Sequence, residues 1–168
     1  MRILGIDPGS RNTGLGVVET APPGAAGDGL RLVVHECIRM GAEPLADRLG
    51  AIFAGVQRMI AQHRPDAVAI EQVFVARNAR SALVLGQASG SAVCAAVVAG
   101  CAVSEYSALQ IKRAVVGAGG ASKEQVQHMV RVLLGLRAPP NADEADALAC
   151  AICHIHTMQV EAKLSRAS

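Results

Sequence analysis

Aromatic residues are nearly missing from this chain. Of its 168 residues none is Trp, one is Tyr and two are Phe. A core without large rings must be filled by Ala, Val, Leu and Ile, and side chains that small let backbones pack closely, as when helices lie flat on a sheet. Charge of one sign is lacking too. Sixteen Lys and Arg against fourteen Asp and Glu leave a formal +2, which excludes a uniformly cationic nucleic-acid binder, so any basic surface must be local. Long apolar runs are also scarce. The longest, Ala92 to Val103, is too short to span a bilayer and is rich in Ala and Gly. No export signal is expected, because the apolar run after Arg2 is cut off at Asp7. The five cysteines, an odd number, are therefore expected to be reduced, and the location cytoplasmic. Neither an internal repeat nor a linker divides the chain. With 51% hydrophobic residues, the expectation is one globular domain over 1–160 and a frayed tail over 161–168.

What is present begins with MRILGIDPGSRNTGLG. Ile3, Leu4 and Ile6 form a buried strand that ends on a carboxylate, Asp7. A turn rich in Pro8, Gly9, Ser10, Asn12 and Gly14 follows, and Leu15 to Glu19 runs back as a second strand. A strand-end acid is where an open α/β sheet places chemistry; Asp is equally a favoured turn residue. The segment by itself supports either reading. Ala21 to Gly29 is a loop by composition, and Leu30 to Met40 is a third strand, completing an antiparallel meander. Pro44 opens a helix with one apolar face (Leu45, Leu49, Ile52, Phe53, Val56, Met59, Ile60). Ala67 to Glu71 is a short buried strand, parallel to the first because a helix precedes it, and it too ends on an acid. A helix from Ala79 to Ala99, a strand from Cys101 to Glu105 and a helix from Ser107 to Val116 follow. Ser122 caps the next helix with Gln125 as its capping-box partner. Asn141 caps a final helix running to about Val160. The predicted class is α/β, a mixed five-stranded sheet flanked by helices.

The final helix opens Asn141-Ala142-Asp143-Glu144-Ala145-Asp146. Glu144 has a capping role opposite Asn141. Asp146 is harder to explain, because Ala147 to Ile152 is apolar all round and a buried carboxylate is costly unless paired or metal-bound. Asp143 and Asp146, three apart, share a helix face. Asp7 and Glu71 at neighbouring strand ends, with Asp143 and Asp146 on the helix, make a set of hard oxygen donors suited to Mg²⁺ or Mn²⁺. Two such ions, roughly 3.5–4 Å apart, activate water and stabilise the leaving oxygen in phosphodiester hydrolysis. The spacing Cys150-Ala-Ile-Cys153-His154 spells a haem-attachment pattern, but it lies inside an apolar helix of a chain without an export signal, which favours packing.

ILGIDPGSRNTGLGVV, AIEQVFVARNARSALVLGQASG, SKEQVQHMV and ADEADALA, in that order across nearly the whole chain, resemble the RuvC family of Holliday junction resolvases. The Asp7 turn alone is weak, since sugar kinases and related ATPases begin similarly, but a two-lobed ATPase needs more chain than this. The resemblance implies a ribonuclease H-like fold. It also implies catalytic and metal-binding roles for Asp7, Glu71, Asp143 and Asp146, and a pair of Mg²⁺ ions for which Mn²⁺ can substitute. It implies a homodimer that makes paired symmetric nicks in four-way DNA junctions, leaving 5′-phosphate and 3′-hydroxyl ends, and a partnership with the RuvA–RuvB branch-migration complex. Phe74, in the loop after Glu71, matches an aromatic that probes the crossover, and Arg77, Arg80, Lys112, Arg113 and Lys123 are candidate DNA contacts. The helix Ala79 to Ala99 is the candidate dimer face. The alternative is a module of the same fold that binds junctions without cutting.

Overall fold

The structure is a computed structural model that describes residues 1–21, 29–73 and 79–167. The strands are β1 (Arg2–Asp7), β2 (Asn12–Thr20), β3 (Leu30–Arg39), β4 (Ala67–Glu71) and β5 (Ala102–Tyr106). They form one mixed sheet in the order β3-β2-β1-β4-β5. β1, β2 and β3 are antiparallel neighbours, and β1, β4 and β5 run parallel. Helices α1 (Leu45–His63) and α2 (Ala79–Val98) cover one face; α3 (Ala108–Val116), α4 (Lys123–Leu133) and α5 (Ala142–Ala167) cover the other. This is the helix-flanked, five-stranded α/β arrangement expected.

The period of two along each strand sorts its side chains between the layers. β1 sends Leu4 and Ile6 toward α1 and α2, and Ile3 toward α5. Gly5 and Asp7 fall on the α5 side with Ile3. β4 does likewise: Val68 and Ile70 join the α1–α2 core, Ala69 the α5 core, and Glu71 shares the face of Ala69.

Helix α5 sits on the sheet backbone at glycines. Gly5 pairs with Gly16, and Asp7 with Gly14, across the β1–β2 ladder. A Cβ at Gly5 would lie 1.9 Å from the Ala147 carbonyl oxygen, and one at Gly14 would lie 1.9 Å from that of Asp143. At Gly16 a Cβ would meet Leu148 Cδ2 at 2.6 Å. Only hydrogen fits, so the helix descends to near contact with the strands. Asp143 and Ala147 are one helical turn apart, and their contact with β1 and β2 sets where the acidic start of α5 lies.

Capping boxes fix the helix starts on this face. Ser107 accepts from the Gln110 amide and Ser122 from the Gln125 amide, each with the return bond from the glutamine. Asn141 Oδ1 accepts from the Glu144 amide at 3.0 Å, and Glu144 Oε2 accepts from the Asn141 amide at 3.2 Å.

One expectation is corrected. The final helix does not fray after Val160; α5 continues to Ala167, because Glu161, Ala162, Lys163 and Leu164 are good helix formers with no breaker among them. Helix α2 is long and apolar enough to cross a membrane by length and composition alone, although no uninterrupted apolar run in it is that long. Its Ala, Gly and Ser break the run of large apolar residues without adding charge, so a count of consecutive apolar residues misses it. Leu83, Val97 and Val98 on α2 are exposed.

Candidate active site

β1 and β4 are parallel and in register, with Ile6 beside Ile70. The next residues, Asp7 and Glu71, therefore stand on adjacent strands about 5 Å apart. Asp7, Glu71 and Asp146 line one cleft of about 200 Å³ together with Lys112 from α3 and Lys123, the first residue of α4. Three carboxylates thus face two ammonium groups.

The electrostatics follow from that crowding. Asp7 is pushed up to about 7, first by burial, then by Glu71 and Asp146, with Asp143 adding least and Lys123 opposing. Glu71 is raised by burial and then by Asp146, while Lys123 and Lys112 pull it down. Lys123 Nζ donates to Asp146 Oδ2 at 3.0 Å, and this bond is the first cause of its raised pKa. The expectation that Asp146 needs a partner is met by a residue 23 positions away.

Asp143 stands to one side. It is absent from the lining of the cleft; Cys37 Sγ on β3 donates to its Oδ2 at 3.8 Å. Glu144 turns away from the cleft, capping α5, with its Oε2 2.9 Å from His35 Nδ1. Arg113 is exposed on the next face of α3, beside Gly119, and does not line the cleft. Arg80 is exposed in the first turn of α2. Phe74 and Arg77 lie outside the described residues.

The Cys150–Cys153–His154 run is packed in the core. Cys150 is fully buried and Cys153 almost so. Tyr106 Oη is 2.9 Å from His154 Nδ1, with the rings edge to face. Burial raises both thiols and lowers His154.

The donor chemistry fits a hard divalent cation. Asp7, Glu71 and Asp146 offer only oxygen, and their mutual repulsion, which Lys123 only partly offsets, is what a cation relieves. Among the described residues no three Asp, Glu, His or Cys groups already stand as a metal cage. Like charges side by side hold one another apart, and Lys123 occupies one oxygen of Asp146.

Residue order does not reveal the Lys123–Asp146 bond, nor the glycine seat beneath α5. A signal for the seat does exist. Gly5 and Asp7 are two apart on β1, Gly14 and Gly16 two apart on β2, so each pair shares a face.

Comparison with known proteins gives the family. Residues 3–154 match the family model described as crossover junction endodeoxyribonuclease RuvC. A protein of that description from Alkalilimnicola ehrlichii is 52% identical over 166 residues, covering 99% of this chain and 98% of the relative. One from Aeromonas salmonicida is 57% identical over 163 residues, covering 97% and 91%. Among solved structures, Thermus thermophilus RuvC in complex with Holliday junction substrate superposes with a TM-score of 0.87 at 39% identity, covering 96% of each chain. The chain belongs to the RuvC family of crossover junction endodeoxyribonucleases.

Proposed function

We propose that the chain resolves four-way DNA junctions by metal-assisted hydrolysis in the cleft between β1, β4 and α5. Family membership makes it an endonuclease. The observation that carries the assignment to this cleft is Asp7, a strand-end carboxylate raised to about 7 by burial beside two other acids. Perturbed carboxylates in a concave site mark chemistry.

Asp7, Glu71, Asp143 and Asp146 would hold the divalent ions, Asp143 reaching them from the flank of the cleft. Mg²⁺ is the proposed metal, a pair per site, with Mn²⁺ able to substitute. When bound, the metal activates water and stabilises the departing 3′-oxygen. The chain's own groups do the rest. The glycine seat under α5 keeps Asp146 across from Asp7. Lys112 and Lys123 present ammonium groups to the phosphate entering the cleft. The products are a 5′-phosphate and a 3′-hydroxyl, made by paired symmetric nicks in strands of like polarity. Phe74, following Glu71, stacks on bases at the crossover, and Arg77, Arg80 and Arg113 contact flanking phosphates.

Two cuts need two sites, so the working form is a homodimer. The apolar surface of α2, with Leu83, Val97 and Val98 exposed at 65%, 60% and 70%, supports a second copy on that helix. The RuvA–RuvB branch-migration complex is the proposed partner, and the cytoplasm the proposed location.

The test is a labelled four-way junction incubated with Mg²⁺ or with a chelator. Paired nicks are expected with Mg²⁺ alone, and none from Glu71→Gln, which still binds the junction. Binding in both conditions with cutting in neither supports the non-cleaving module instead.

A further inference from the structure

The DNA reading gives Lys123 a phosphate to meet, but it leaves unused the bond that Lys123 makes within the protein. Its ammonium is hydrogen-bonded at 3.0 Å to Asp146 Oδ2, an oxygen of the proposed metal set. It is a loose holder. The side chain is 76% exposed, against 19% for Asp146. Its backbone is anchored, because the Ser122–Gln125 capping box fixes the start of α4. A second cavity, of about 130 Å³, adjoins Lys123 and Asp146 on the other side, lined by Glu124, Gln127, Ala142 and Ala145. The four-carbon stem thus has room to swing from a fixed root.

We propose that Lys123 is an exchangeable counter-cation for Asp146: the divalent ion displaces its ammonium from the carboxylate and frees it for the DNA phosphate. This rests on the metal reading above. A divalent ion and an ammonium on one carboxylate repel strongly at such range. The ion carries twice the charge and can be shared by Asp7 and Glu71, so it prevails. The exchange makes the two ligands of the site help each other. Phosphate drawing Lys123 outward lowers the cost of loading metal, and metal loading frees a cation for phosphate. Without metal, the ammonium partly offsets the repulsion on Asp7 and Glu71.

Lys112 supplies the control. It lines the same cleft and lowers the Glu71 pKa, but it is not Asp146's hydrogen-bond partner. Mn²⁺ affinity is measured by calorimetry, without DNA, for the full chain, Lys123→Gln and Lys112→Gln. Both substitutions remove one positive charge from the cleft; only Lys123→Gln removes a competitor from the ligand oxygen. Lys123→Gln is expected to bind Mn²⁺ about two- to five-fold more tightly than Lys112→Gln does, the range set by an exposed ion pair. In the unsubstituted protein, acetylation of Lys123 by acetic anhydride, followed by peptide mass spectrometry, is expected to rise with Mn²⁺ and saturate with binding, while Lys112 labelling changes little. Equal affinities for the two variants, or Lys123 labelling indifferent to bound Mn²⁺, overturn the exchange and leave the metal site standing. Failure of every form to bind Mn²⁺ overturns the metal reading and the exchange with it.

Discussion

Asp7 works against the stability of the fold that carries it, and the size of that conflict can be worked out. Its pKa moves from 3.8 to about 7 on folding without metal. The native state therefore holds a proton that the unfolded chain gives up, and each unit of difference is worth about 1.4 kcal/mol. Below pH 3.8 the acid is neutral in both states and costs nothing. Between 3.8 and 7 the unfolded chain ionises while the native site resists, so stability falls as pH rises. Above 7 the loss levels off at up to about 4 kcal/mol. At pH 5 roughly a third of it has appeared. Part of the penalty belongs jointly to Glu71 and Asp146, so Asp7→Asn is expected to stabilise the metal-free protein at pH 8 by about 2–4 kcal/mol. For a domain of this length that is a rise in Tm of roughly 5–15 °C. The gain at pH 5 is smaller. Calorimetric or urea unfolding in EDTA at pH 5 and pH 8 reads it directly. Added Mg²⁺ should stabilise the unsubstituted protein at pH 8 and the variant much less, while junction cleavage by the variant is lost. A variant no more stable than its parent at pH 8, or a gain larger at pH 5, refutes the crowding argument.

Two further outcomes are expected. Gly5→Ala places a methyl 1.9 Å from the Ala147 oxygen and 2.8 Å from the Ala151 nitrogen; backbone cannot yield as a side chain can, so a loss of about 1–3 kcal/mol or more is expected in urea unfolding. Residual folded protein should cleave junctions poorly because α5 is lifted with its acids, and unimpaired stability would remove the glycine seat from the account. Phe74→Ala is expected to cut junction cleavage about ten-fold or more, the worth of one base stack, with Tm unchanged; cleavage at the parental rate would remove the stacking role.

Much of this molecule follows from local physical chemistry. Alternation of side chains along Ile3–Asp7 and Ala67–Glu71 is enough to make buried strands that end on acids, because period two is a property of the extended chain. The Ser122–Gln125 and Asn141–Glu144 caps follow from spacing of three, since a capping box closes within a single turn. Charge totals and counts of consecutive apolar residues are blunter. They leave unmarked the helical stretch after Val160, where helix propensity decides, and the apolar character of α2, which is spread over small residues.

The sequence by itself determined which residues are strands and helices, where each acid falls on its element, and, through its resemblance, the family. The fold decided what stands next to what. Parallel register sets Asp7 beside Glu71; Gly5, Gly14 and Gly16 let α5 come down onto β1 and β2; and Lys123 reaches Asp146 across 23 residues while Asp143 is left at the margin. Such distances depend on how elements pack, and packing sums weak contacts over the whole core, so no short stretch of residues contains them.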